Sequence, residues 1–252
     1  MRFFSSHKNG YTRGMTLVEL VVVLAIFIVV SGLTMFEYQD FRSGASAQTL
    51  ADDIALSVRK AQSFAIGVRN TNADFSSGFG VHFSVSSQES APTSGSNKQF
   101  ILFADTGSEP NKSYDYDSSS TSCDLISVSV GNECVEQISI NSAEVISGIY
   151  LYGSSDAIGG SDPLQVDPNG SLDIVFLRPE PDAFFCYRTN LTSNLGSPCD
   201  TSSLSENGGI SRVRIEISNP NIPKKYDETG NSIKSVGTKF ITIWNTGYIS
   251  IE

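Results

Sequence analysis

The sequence predicts an α+β protein in which a long N-terminal helix, membrane-spanning in its first half, packs on an antiparallel β domain of two sheets. Three observations lead there. An apolar run extends from Met15 to Phe36; apolar residues then recur every three or four positions to Val68; and from Phe79 onward short β-prone segments alternate with Gly, Pro, Asn and Ser clusters. About 215 of the 252 residues follow the apolar run, enough for one domain with a substantial core.

Residues 1–14 form a basic leader, with Arg2, Lys8 and Arg13 ahead of the apolar run and Glu37 and Asp40 behind it. The positive-inside rule then puts the N-terminus in the cytoplasm and the β domain outside. On that side of a membrane thiols oxidise. The four cysteines are Cys123, Cys134, Cys186 and Cys199, and all lie in the β domain. Their order suits two local bridges, although four cysteines allow three pairings and buried free thiols are the alternative. Zinc is disfavoured, because the chain has 2 histidines and no CxxC spacing. The formal net charge of −10 argues against broad binding to phosphate backbones.

Residues 15–36 read as a transmembrane helix, since a bilayer core takes roughly 20 apolar residues as helix. An ordinary secretory signal has a shorter apolar stretch followed by a small-residue cleavage site, and neither holds here. Glu19 is the anomaly: a carboxylate at membrane depth is costly unless paired. The sequence offers it no partner within the chain except a free amine created nearby.

Gly14-Met15-Thr16-Leu17-Val18-Glu19-Leu20, followed at once by the apolar run, resembles the class III signal of type IV pilins and type II secretion pseudopilins. The resemblance implies cleavage by prepilin peptidase after Gly14 and methylation of the new terminal residue Met15. It also implies that Glu19 pairs with the terminal amine of a neighbouring subunit. Met15 departs from the commoner Phe. The implied partners are the peptidase, other pilin or pseudopilin subunits and an inner-membrane assembly platform; the implied fold is pilin-like, closest to FimT-like or H-type pseudopilins.

Residues 37–67 continue the helix as an amphipathic segment. Ala47, Leu50, Ile54, Val58, Ala61, Ala65 and Val68 form the stripe expected to face the sheet, with a coiled coil as the alternative, and Gly67 is the expected terminator.

Residues 71–252 form the β domain. Phe79 to Val85 alternates, placing Phe79, Val81, Phe83 and Val85 inward and His82 on a solvated face without catalytic company. Gln99 to Ala104 is a strong strand. Asp105 to Ser122 reads as a plain surface loop; Asp105, Glu109, Asn111, Asp115 and Asp117 closing around calcium is the alternative. Leu125 to Val130 and Val135 to Ile140 read as a hairpin that a bridge between the flanking Cys123 and Cys134 would pin. Val145 to Tyr152, Ser171 to Leu177, Ala183 to Arg188 and Ile210 to Ile217 follow as strands, and Lys239 to Ile251 as a hairpin turning at Asn245 to Gly247.

Hydrolytic chemistry lacks a nucleophile with a base, and nucleotide binding lacks its glycine-rich motifs, so the expectation is a non-enzyme without cofactor, metal or small-molecule substrate. The expected function is a structural subunit, a minor pilin or pseudopilin, of a type IV pilus or type II secretion filament. Its location is the inner or cytoplasmic membrane before assembly and the filament afterwards. One alternative is a DNA-binding minor pilin of natural transformation, because Arg212 and Arg214 share a strand face near Lys224 and Lys225. Another is an ordinary membrane-anchored extracytoplasmic adhesion module.

Overall fold

The computed structural model describes residues 14–67, 78–87, 95–106, 112–115, 123, 128, 132–153, 163–177, 181–188, 209–222, 225–226, 232–233 and 237–252. Its one α-helix among these, α1, runs Leu17–Ile66 over 50 residues, and the chain divides into Met1–Phe41 and Arg42–Glu252. Within the first unit, α1 is apolar from Leu17 with mean hydropathy 2.7 over the span to Met35, and its side chains there are not buried. That segment is long and apolar enough to be a single membrane crossing. The helix stops after Ile66, where the Gly67 N–H bonds the Ser63 carbonyl at 2.8 Å.

Among the described residues the second unit holds twelve strands: β1 (Gly78–Ser84), β2 (Gln99–Asp105), β3 (Cys134–Ser139), β4 (Val145–Gly153), β5 (Leu164–Gln165), β6 (Ser171–Phe176), β7 (Ala183–Arg188), β8 (Ile210–Ser218), β9 (Lys225–Tyr226), β10 (Ser232–Ile233), β11 (Lys239–Trp244) and β12 (Ile249–Ile251). They form two five-stranded antiparallel sheets, ordered β3-β2-β1-β6-β7 and β12-β11-β8-β4-β5, plus the ribbon β9-β10. β5, β9 and β10 are two residues each, too short to show a period in the sequence. Leu125 to Val130 falls almost wholly outside the described residues.

One core joins α1 to both sheets. Ala47, Leu50, Ala51, Ile54, Val58, Ala61 and Ala65 of the helix meet Phe79, Val81, Phe83, Leu102 and Ile174 of the first sheet and Ile149, Val213, Ile215 and Ile241 of the second. Alanines along the stripe let the helix approach the sheets closely. The large side chains do most of the stabilising, at about 1.5–3 kcal/mol per fully buried Phe or Ile.

Strand β8 follows the expected alternation: Val213, Ile215 and Ile217 face the core, while Arg212, Arg214 and Glu216 share the opposite face. The first sheet does not. Strands β1, β2 and β6 are buried at every position, so the sheet is covered on both faces. This corrects the expectation for His82, which is 2% exposed and buried on the covered outer face. Asp105, expected at the start of a surface loop, is the last residue of β2 and fully buried.

Candidate functional site

The N-terminal segment begins with Gly14, Met15 and Thr16 in non-helical conformation. Thr16 caps α1: its Oγ1 accepts the Glu19 N–H at 3.3 Å, and its carbonyl accepts the Leu20 N–H at 3.2 Å. Glu19 therefore occupies the third helical position, where a helix N-terminus favours negative charge. Thr-x-x-Glu ahead of an apolar run is the sequence signature of a capping box. It was legible in the sequence and gives Glu19 a local role within its own chain. Gly14 has open space around it: a Cβ built there meets nothing within 4 Å, and its backbone is not in the left-handed region. Packing among the described residues does not require glycine there.

On the first sheet's outer face, His82 of β1 and Asp173 of β6 are directly opposite, with Nδ1 2.5 Å from Oδ1. The other Asp173 oxygen accepts the Tyr114 N–H at 3.1 Å, and the Tyr114 ring lies 4.9 Å from the imidazole. Gly95 covers the remaining side so closely that a Cβ would come within 2.9 Å of His82 Nε2. Two more carboxylates complete the pattern. Asp105 Oδ2 accepts the Lys112 N–H at 2.9 Å, while Glu133 accepts the Thr106 N–H at 2.8 Å on Oε1 and the Asp115 N–H at 2.9 Å on Oε2. Arg188 of β7 donates to the Tyr114 carbonyl at 3.3 Å. Residues 112–115 thus form a strap whose main-chain N–H groups are gripped by buried acids. Burial pushes the Glu133 carboxyl up to about 9, reinforced by the Asp105 and Asp115 charges and opposed by the two backbone N–H groups.

The calcium alternative bears on this same region. Asp105 and Asp115 belong to the strap network, Glu109, Asn111 and Asp117 lie outside the described residues, and among the described residues no three His, Cys, Asp or Glu are grouped to hold a metal ion. Cys123 and Cys134 form a disulfide with Cα atoms 4.9 Å apart, beside the strap. Cys186 is also disulfide-bonded, and Cys199 lies outside the described residues.

The second sheet's outer face carries the candidate cations in cross-strand rows: Tyr152–Arg212–Trp244, Tyr150–Arg214–Thr242 and Gly148–Glu216–Phe240. Arg214 is 3.3 Å from Glu252, and Tyr150 donates to Glu216 at 2.7 Å. Burial, then that hydrogen bond, raises the Tyr150 hydroxyl above its ordinary value. Arg212 differs, for its guanidinium stacks 4.5 Å over the Tyr152 ring and has no ion-pair partner among the described residues. Trp244 lies 5.0 Å from Tyr248, which is 63% exposed. Lys225 is in β9 with no side-chain description, and Lys224 lies outside the described residues. The structure brings together arginines and aromatic rings here, a pairing that single-strand patterns do not reveal. Comparison of the chain with family models, characterised proteins and solved structures gave no match.

Proposed function

We propose that this chain is a structural subunit of an extracytoplasmic filament of the type IV pilus or type II secretion class. In this reading it enters the membrane through Leu17–Met35, is cut after Gly14 by prepilin peptidase, is methylated at Met15 and polymerises through α1. The observation that carries the reading is Gly14-Met15-Thr16-Leu17-Val18-Glu19 at the start of a 50-residue helix whose apolar span is unburied among the described residues. An apolar surface of that extent needs lipid first and neighbouring helices afterwards. A glycine at 14 that packing does not demand supports a requirement set by a processing enzyme. Glu19 then serves twice, within the helix cap and against the Met15 amine of another subunit, where a packed filament core compensates a charge that lipid cannot.

Replacing Gly14 by Leu in the full chain tests this. The expected result is accumulation of the uncleaved precursor and loss of the chain from sheared surface or periplasmic filaments. A variant that still matures to the shorter form and enters filaments refutes the reading. DNA contact has one structural support, the shared outward face of Arg212 and Arg214, and Glu216 and Glu252 on or beside that face oppose it.

A further inference from the structure

Two surface features of the Arg42–Glu252 unit are complementary. The first is the row Tyr152–Arg212–Trp244 with Tyr248 beside it, at the end of the second sheet's outer face. Of the two arginines that β8 turns outward, Arg214 is paired with Glu252, whereas Arg212 has no ion-pair partner among the described residues. Arginine flanked by tyrosine and tryptophan is the composition of a binding hot spot. The exposed Tyr248 stands at the end of the β11–β12 turn as a projecting ring.

The second feature is an open groove of about 340 Å³ between α1 and the edge strand β3. Leu50, Phe100, Ile138 and Ile140 give it an apolar lining, and Asp53 is its only ionisable residue. Asp53 is exposed and has no ion-pair partner among the described residues. The nearby Lys98 ammonium is engaged by the Ser142 and Glu144 carbonyls, each at 2.8 Å. A volume of this size accommodates an aromatic side chain.

We infer that the Arg212–Trp244–Tyr248 surface of one copy docks on the Asp53 groove of a second copy, with Tyr248 entering the apolar part and Arg212 meeting Asp53. A chain with net charge −10 repels its own copies over most of its surface, so a contact between copies needs a local cation facing a local acid. These are two different patches, so the contact is heterologous, the kind that runs on as an open helical array unless its rotation closes a ring. The inference rests on the filament reading above and adds to it that the chain sits beside copies of itself.

The test uses the full chain in cells. Tyr248 is replaced by photoreactive p-benzoylphenylalanine, filaments are sheared and irradiated, and adducts are mapped. In parallel Arg212→Asp, Asp53→Arg and the double variant are scored for incorporation. The expected results are an adduct between copies at residues 46–53 or 138–142, a loss of roughly tenfold or more for each single reversal, and recovery to within about threefold in the double variant. Filaments that contain the chain but give an adduct to another protein, or none, overturn the inference and leave the filament reading standing. Normal incorporation of both single variants does the same, including where Arg212→Asp lowers DNA retention instead. Absence of the unmodified chain from any filament refutes the filament reading, and the inference with it.

Discussion

Replacing Glu133 by Gln should change the pH dependence of stability more than stability itself. Glu133 is 1% exposed and its carboxyl is held at about 9 against an ordinary value of 4.5. The folded state therefore keeps a proton that the unfolded state releases, and its contribution is fully present below pH 4.5 and lost as pH rises towards 9. Each pH unit across that window costs about 1.36 kcal/mol, so the interval from 4.5 to 7 amounts to about 3 kcal/mol. For a domain of this size that is a fall in midpoint of about 6–12 °C. Glutamine cannot ionise. Its amide NH₂ must face the N–H of Thr106 or Asp115, a mismatch worth about 1–3 kcal/mol at every pH. The variant should start below the wild type at pH 5 and draw level with it or pass it by pH 8. Thermal unfolding of the detergent-solubilised full chain, disulfides intact, followed by circular dichroism, measures both curves. Their difference removes the other titrating groups and the growing self-repulsion of the acidic chain, which act alike on both. Parallel curves from pH 5 to 8 refute the assignment of a buried, proton-holding carboxyl at Glu133.

Three further outcomes follow from the packing. His82→Phe removes one partner of the buried pair and leaves Asp173 under the strap; it should cost about 3–5 kcal/mol in urea unfolding and expose residues 112–115 to limited proteolysis, whereas unchanged cleavage would show the strap to be held without it. Gly80→Ala puts a methyl 2.6 Å from both the Ile174 carbonyl oxygen and the Phe103 ring, so denaturation should show a loss of about 1–3 kcal/mol or more. Thr16→Ala removes the helix cap and should speed amide exchange at Glu19, with about 1 kcal/mol lost locally and no change in the unfolding of the β domain.

What the sequence disclosed depended on whether a period survived in it. The α1 stripe was readable because one helix face meets the core, and β8 because one sheet face carries Arg212, Arg214 and Glu216. The Lys239 to Ile251 hairpin was readable from its turn residues. The first sheet defeated the same logic. Alternation identifies a face that differs from its opposite, not one buried by segments distant in the chain, and His82 is covered by Gly95 and Tyr114, while its partner Asp173 is 91 residues away. Asp105 reads as the start of a surface loop, and no pattern in the sequence sets Glu133 or Asp173 apart; only the fold gathers the main-chain amides they hold. Glu19 is a different case: Thr-x-x-Glu shows its capping place in the sequence itself, and the same carboxylate carries a cost at membrane depth.

The grip on the strap has a consequence for how this protein can diverge. Buried carboxylates hold the N–H groups of Thr106, Lys112, Tyr114 and Asp115, and every amino acid but proline offers that group. Ser113 and Tyr114 are themselves buried, so the freedom falls on the two partly exposed side chains, those of Lys112 and Asp115, with β-branched residues disfavoured at 112 by its left-handed backbone. A lineage under pressure to alter its outer surface can change those two without redesigning the attachment. Substitutions should accumulate there, while Ser113, Tyr114 and the acids beneath them stay fixed.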